Sequence, residues 1–138
     1  MNLSVLVITH RKGVHLARCL KGILPQLAAE DEVIVVDDGG FDREVVAKVG
    51  DPRIRYFPIP HRGYRLATLQ NIGTLLARHD AVVKLDGDCI PHHGWLEAYR
   101  REIEPGMLCA GRILWEDAQG NIRPDFRFTS RGELSAEA

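Results

Sequence analysis

Two nearly continuous apolar runs, Leu3-Ser4-Val5-Leu6-Val7-Ile8-Thr9 and Glu32-Val33-Ile34-Val35-Val36-Asp37, constrain this chain more than any other feature. A strand with one face in water alternates polar and apolar residues. A run without alternation predicts a strand covered on both faces. Between the two, Leu16, Leu20, Ile23, Leu24 and Leu27 recur at helical spacing. They predict a helix over residues 14–27, its last turn distorted by Pro25. The alternation continues. A short helix is expected over residues 42–49, then a strand over 53–58 that Pro58 and Pro60 mark as an edge. A helix over 66–77 turns Leu66, Leu69, Ile72, Gly73 and Leu76 toward the sheet, and a buried strand follows over 81–85. Trp95, Leu96, Tyr99 and Ile103 mark another helix, ended by Pro105-Gly106, and residues 107–115 read as a fifth strand. Strands alternating with helices predict right-handed β-α-β units: an α/β fold with a mainly parallel sheet flanked by helices.

A chain of 138 residues suits one domain with a sizeable core. From Glu116 onward the hydrophobic pattern decays, which divides the chain into a packed domain, 1–115, and a turn with a weakly structured tail, 116–138. The formal net charge of −1 argues against non-specific affinity for nucleic acid or a membrane surface. Cys19, Cys89 and Cys109 are odd in number and lack metal or redox spacing, so they read as free thiols, two of them in the core. No run approaches the ~20 apolar residues of a membrane span, and the first residues enter a strand directly. These features place the chain in the cytoplasm, free or at the membrane periphery.

Chemistry is expected at the strand ends, where open α/β sheets hold their ligands. The run Val82-Val83-Lys84-Leu85-Asp86-Gly87-Asp88-Cys89-Ile90-Pro91 ends in two carboxylates one residue apart. Such a pair repels itself until a cation or proton settles it, and its hard oxygens suit Mg²⁺ or Mn²⁺. Asp37 and Asp38 end the second strand beside two glycines, either as acceptors for a base or ribose or as turn residues bonded to backbone. Arg62 and Arg65 precede a helix whose N-terminus favours anions, and arginine forks onto phosphate; the plain alternative is an exposed basic loop. Thr9 can place a hydroxyl beside the same pocket. His92-His93 point in different directions and read as surface residues, and Glu116-Asp117 as acids of a hairpin-like turn over 118–121. The absence of G-x-x-x-x-G-K-[ST], G-x-G-x-x-G and G-x-S-x-G excludes a P-loop, a dinucleotide fingerprint and a hydrolase elbow.

Together these stretches resemble the family 2 glycosyltransferases of the GT-A (Rossmann-like) fold. Val5-Leu6-Val7-Ile8-Thr9-His10 is similar to the family's opening strand, and Glu32 to Gly40 to its acidic second strand. The Asn71-Ile72-Gly73 helix and Leu85-Asp86-Gly87-Asp88-Cys89-Ile90-Pro91 followed by Trp95-Leu96 are similar to the Asn-x-Gly and Asp-x-Asp segments. The resemblance covers residues 3–115. It implies transfer of a sugar from a nucleoside-diphosphate sugar, UDP-linked by the family's habit, to an acceptor hydroxyl of a glycan, lipid or protein, with inversion. It implies that Thr9 and Asp38 contact the base, with Asp37 nearby, and that Arg65 faces base or diphosphate. Asp86 would meet the ribose or metal shell, and Asp88 would hold Mn²⁺ or Mg²⁺. The acceptor half and its general base have no counterpart after Trp115, so the catalytic residue is unassigned. The donor-binding half is expected to act with a missing C-terminal half or a partner chain. The competing readings are a catalytically incomplete nucleotide-binding or interaction module, and a nucleotidyltransferase.

Overall fold

Four parallel strands form the central sheet, in the order β3-β2-β1-β4. They are β1 (Leu3–Thr9), β2 (Glu32–Asp38), β3 (Ile54–Ile59) and β4 (Ala81–Asp86). In this computed structural model the described residues are 1–109, 111, 114–116, 118–119, 122–124, 127–128 and 134–135. The helices are α1 (Val14–Ile23), α2 (Arg43–Val49), α3 (Leu66–Leu76) and α4 (Trp95–Glu102). The expected α/β sheet is therefore present, with its strands alternating with helices.

Burial explains why the first two runs lack alternation. Leu3, Val5, Val7, Val33 and Val35 pack on one face with Leu16, Cys19, Leu20 and Ile23 of α1, Val46 of α2 and Leu96 of α4. Leu6, Ile34 and Val36 pack on the other face with Leu69 of α3. Each large side chain so buried is worth about 1.5–3 kcal/mol of transfer free energy. The close approach of α3 depends on Gly73, where an added Cβ would lie 2.2 Å from Leu6 Cδ1.

Several boundaries differ from expectation for local reasons. Residues 24–26 leave α1 as a 3-10 turn, with Pro25 inside it. β3 is an edge strand, and its outer edge is blunted. The carbonyls of Arg53 and Ile59 face β2, so by alternation the proline nitrogen of Pro58 faces outward. β4 was expected to be buried, yet only Val83 of it is, because β4 has β1 as its single partner among the described residues. Of the expected strand over 107–115, the described residues 107–109 and 111 carry no strand, while Leu114 and Trp115 belong to β5 (Leu114–Glu116), which pairs antiparallel with β6 (Ile122–Pro124) across a turn at Ala118 and Gln119. Strands β7 (Arg127–Phe128) and β8 (Leu134–Ser135) form a second antiparallel pair. Asp117, Gly120 and Asn121 of the expected turn lie outside the described residues. By its contacts the chain divides into Met1–Ile103, which holds the sheet, and Glu104–Ala138.

Candidate functional site

The strand order fixes where a ligand can sit. From β1 the chain adds β2 and then β3 on one side, while β4 lands on the other. The connection leaving β1 runs over one face through α1 and the connection entering β4 runs over the other through α3, and a cleft opens at the carboxyl ends of the strands. A cleft of about 530 Å³ lies there, lined by Thr9, His10, Lys12, Asp38, His61, Tyr64, Arg65, Asp86 and Asp88 among others. The register explains the gathering: Thr9 pairs with Asp37, Ile8 with Asp86, and Asp38 with Ile59. A smaller cleft, about 240 Å³, lies at the amino ends of the strands among already paired charges such as Glu32 and Arg55.

At the Asp86-Gly87-Asp88 corner, the Gly87 N–H donates to Ile8 O at 2.9 Å. A Cβ at Gly87 would lie 3.0 Å from Ile8 O and from Thr9 Oγ1. The glycine thus lets the turn press onto the end of β1, beyond keeping space between the two acids. Asp86, Asp88 and Cys89 offer ligand atoms within 4.8 Å of one another. Burial, reinforced by the charges of Asp86 and Asp88, holds the Cys89 thiol above its ordinary pKa. Beneath, burial with the same acids and Cys89 pushes Cys19 up to about 12. The donors left are hard carboxylate oxygens, which fit Mg²⁺ or Mn²⁺. Lys12 Nζ already stands 3.0 Å from Asp88 Oδ2, a cation where the pair needs one.

Across the cleft, Asp38 meets two histidines. Its Oδ2 lies 3.0 Å from His61 Nδ1 and 3.9 Å from His10 Nδ1. The imidazoles stack at 4.6 Å with 16° between planes. Among the described residues, the buried side-chain polar atoms without a partner are Asp37 Oδ1, Asp38 Oδ1 and Arg65 Nε. All three belong to residues at this end of the sheet. Arg65 lines the cleft, and its guanidinium donates to Pro60 O, bracing the loop before α3. Arg62 does not line the cleft.

Asp37 is held behind the cleft. Its Oδ2 accepts from the Asp42 N–H at 2.8 Å and from the Tyr56 hydroxyl at 2.6 Å. Thr9 donates its hydroxyl to Asp42 Oδ2 at 2.6 Å. The same carboxylate accepts from the Lys12 and Gly13 N–H groups at 3.0 and 2.9 Å. Asp42 is the residue before α2, yet its side chain clamps the β1–α1 loop instead of capping the helix. Burial by itself would raise its pKa, but the bonds from Thr9, Lys12 and Gly13 outweigh it and lower it.

Sequence reasoning did not single out Lys12, Asp42, His10 or His61. The positive charge of Lys12 so soon after β1 is the signal that could have found it. Asp42 carried none, since its partners lie about thirty residues away. Of the cysteines, Cys19 is buried while Cys89 and Cys109 are half-exposed, so one rather than two is a core residue.

The family model for glycosyl transferase family 2 matches residues 4–135. Chondroitin synthase of Escherichia coli is 32% identical over 130 residues, covering 90% of this chain and 19% of that protein. Glycosyltransferase GlyG of Streptococcus pneumoniae serotype 4 is 27% identical over 127 residues, covering 87% and 42%. A crystal structure of S. aureus TarS (1-349) superposes with a TM-score of 0.65 at 22% identity, over 73% of this chain and 32% of that one. The chain thus spans less than half the length of each of these proteins.

Proposed function

Because the chain belongs to glycosyl transferase family 2, we propose that it supplies the donor-binding half of a sugar transfer from a nucleoside diphosphate to an acceptor hydroxyl, with inversion. The observation that carries the reading is the pairing of unsatisfied polar atoms with opposite charge around one cleft. Asp38 keeps a buried, partnerless oxygen for a base N–H, as the N3–H of uracil would supply. Thr9, Asp37 and Asp42 act behind it by fixing the loop and strand ends. Arg65, with a free Nε, and Lys12 face the diphosphate. Asp86 and Asp88 hold Mg²⁺ or Mn²⁺, Asp88 as the direct ligand. Such an ion supplies Lewis-acid neutralisation of the departing diphosphate, worth several kcal/mol. The acceptor, whether glycan, lipid or protein, is met outside the unit described, in the cytoplasm. Among the described residues no helix is long and apolar enough to cross a membrane.

Titration calorimetry with UDP, with and without Mn²⁺, tests this. Metal-dependent heat is expected, and Asp88→Ala should abolish the dependence while the circular dichroism stays unchanged. A folded sample giving no heat with either would sink the reading. A second reading, pairing with another chain, draws on the exposure of Met107 (52%) and Leu108 (96%). A monomer in sedimentation that binds no hydrophobic dye would remove it.

A further inference from the structure

We propose that Gln26 is a positioning residue for the Asp86-Gly87-Asp88 turn. It fastens the segment between Asp88 and α4 to the end of α1, and so fixes where the Asp88 carboxylate stands. The role rests on the proposed metal site of Asp86 and Asp88. Gln26 lies in the 3-10 turn that follows α1, and its half-buried side chain makes three hydrogen bonds. Its Nε2 donates to Gly22 O at 2.8 Å and to His92 O at 3.1 Å, and its Oε1 accepts from the Leu96 N–H at 3.1 Å. Two carbonyls on one side and an N–H on the other allow the amide a single orientation.

The start of α4 shows what these bonds replace. Gly94 stands at its N-cap, at φ 81°, and has no side chain to cap the helix. The first N–H groups of a helix have no partner within it. Leu96, at the second helical position, is fully buried, and Gln26 supplies its missing acceptor from seventy residues away. The backbone hydrogen bonds that hold 89–95 otherwise are local, from the Cys89 N–H to Asp86 O and from the Trp95 N–H to His92 O. Among the described residues, the hydrogen-bonded tether from this segment to α1 is therefore Gln26.

Packing repeats the arrangement. An added Cβ at Gly22 would lie 2.9 Å from Pro91 Cδ and 3.1 Å from its Cγ, so the glycine lets Pro91 rest on α1. One turn earlier, the buried Cys19 thiol reaches Asp86 O at 3.7 Å. Cys19, Gly22 and Gln26 thus meet the chain in order, at Asp86, at Pro91, and at His92 and Leu96. Asp88 lies between these contacts, on a turn whose other anchor is the Gly87 N–H on Ile8 O. Its side chain is exposed, so its place is set by the backbone on either side more than by its own packing. A metal ligand must be held to within about 0.5 Å, which a loose segment after Asp88 would not do. Gln26 belongs to neither face of the core, so this fastening is separable from the stability of the sheet.

The test is calorimetry of Mn²⁺ titrated into the full chain saturated with UDP, against a protein-free blank, beside UDP alone without the ion. Gln26→Ala loses all three bonds. Gln26→Glu keeps the length and the oxygen for Leu96, but sets a carboxylate against Gly22 O and His92 O. Each should weaken Mn²⁺ about tenfold, the lower end of losses when groups behind a metal's ligands are removed, with the metal-free UDP affinity unchanged. Gly22→Ala, which pushes on Pro91, should act in the same direction. Val46→Ala, on α2 in the same core, should lower the melting temperature and leave Mn²⁺ affinity as it was. Amide hydrogen exchange should quicken over residues 89–96 in both Gln26 variants, with β1 and β2 protected as before. A wild-type chain that gives no Mn²⁺ heat would sink the metal site and this role with it. Wild-type Mn²⁺ affinity in both Gln26 variants, or unchanged exchange over 89–96, would overturn the positioning role alone.

Discussion

The two ends of the sheet carry buried acids, and they treat them in opposite ways. At the amino end, Asp31 accepts from the Leu3 and Ala28 N–H groups at 2.8 and 2.6 Å and from the Arg100 guanidinium. Glu32 accepts from Ser4 Oγ, the Arg78 N–H and Arg55 Nη1 at 2.7, 2.7 and 2.9 Å. At the carboxyl end, Asp37 and Asp38 are as deeply buried, yet each keeps an oxygen with no partner. Buried polar groups in folded proteins are almost always satisfied, so orphans that cluster at one end need a reason. The amino end spends its acids on holding α4, β1 and β3 together. At the carboxyl end Asp38 lines a cleft with one oxygen unused, while Asp37 behind it gives only its other oxygen to Asp42 and Tyr56.

Acidification should break the contrast most severely, because it acts on the satisfied acids together. For Asp31 and Glu32, burial alone would raise the pKa, but hydrogen bonds from Arg100, Leu3 and Ala28, and from Arg78, Ser4 and Arg55, outweigh it. Both are lowered, as is Asp42, and the bonds from Arg53 bring Asp51 to about 2. A depressed folded pKa gives stability that is present above the ordinary carboxylate range and lost as pH falls through the folded value. Urea midpoints should therefore hold level above about pH 4.5 and fall steeply from there toward pH 2. A flat midpoint across that window would contradict the bonding described.

Next in size is a direct exchange between the ends. Glu32→Ala removes the acceptor shared by Ser4, Arg78 and Arg55 and should cost about 3–5 kcal/mol in chemical denaturation. Asp38→Asn should change stability by no more than ~1 kcal/mol while weakening UDP at least about tenfold. Equal losses of stability would erase the distinction. The smallest effect belongs to Lys12→Ala. Its pair with Asp88 is 37% and 46% exposed, so the melting temperature should move by the equivalent of ~0–1 kcal/mol or less.

How much of this was legible differs between the two kinds of feature. The sheet was readable because strands buried on both faces, such as 3–9 and 32–38, must drop alternation, and helices such as α1 must repeat every three to four residues. The strand-end acids Asp38, Asp86 and Asp88 were readable because strand ends are where such a sheet can open. Asp37, one residue from Asp38, points the other way, and period-two alternation separates the neighbours. Sequence spacing said they were together; only the register shows that one faces Tyr56 and the other the cleft. The histidine pair was hidden for a different reason. His10 and His61 are fifty-one positions apart and meet because β1 and β3 flank β2. β4 misled because a run of apolar residues does not reveal whether a second neighbour covers it.

That last point bears on growth of the sheet. Residues 81, 83, 85 and 87 direct their backbone groups to β1, so those of Val82, Lys84 and Asp86 face away from it. The far edge, at β3, is interrupted by the imide nitrogen of Pro58, which has no proton to give. Among the described residues, β4 thus offers an added strand a row of donors and acceptors, and β3 offers a gap. The sheet has a growing side and a sealed side, and the growing side is the one that carries Asp86.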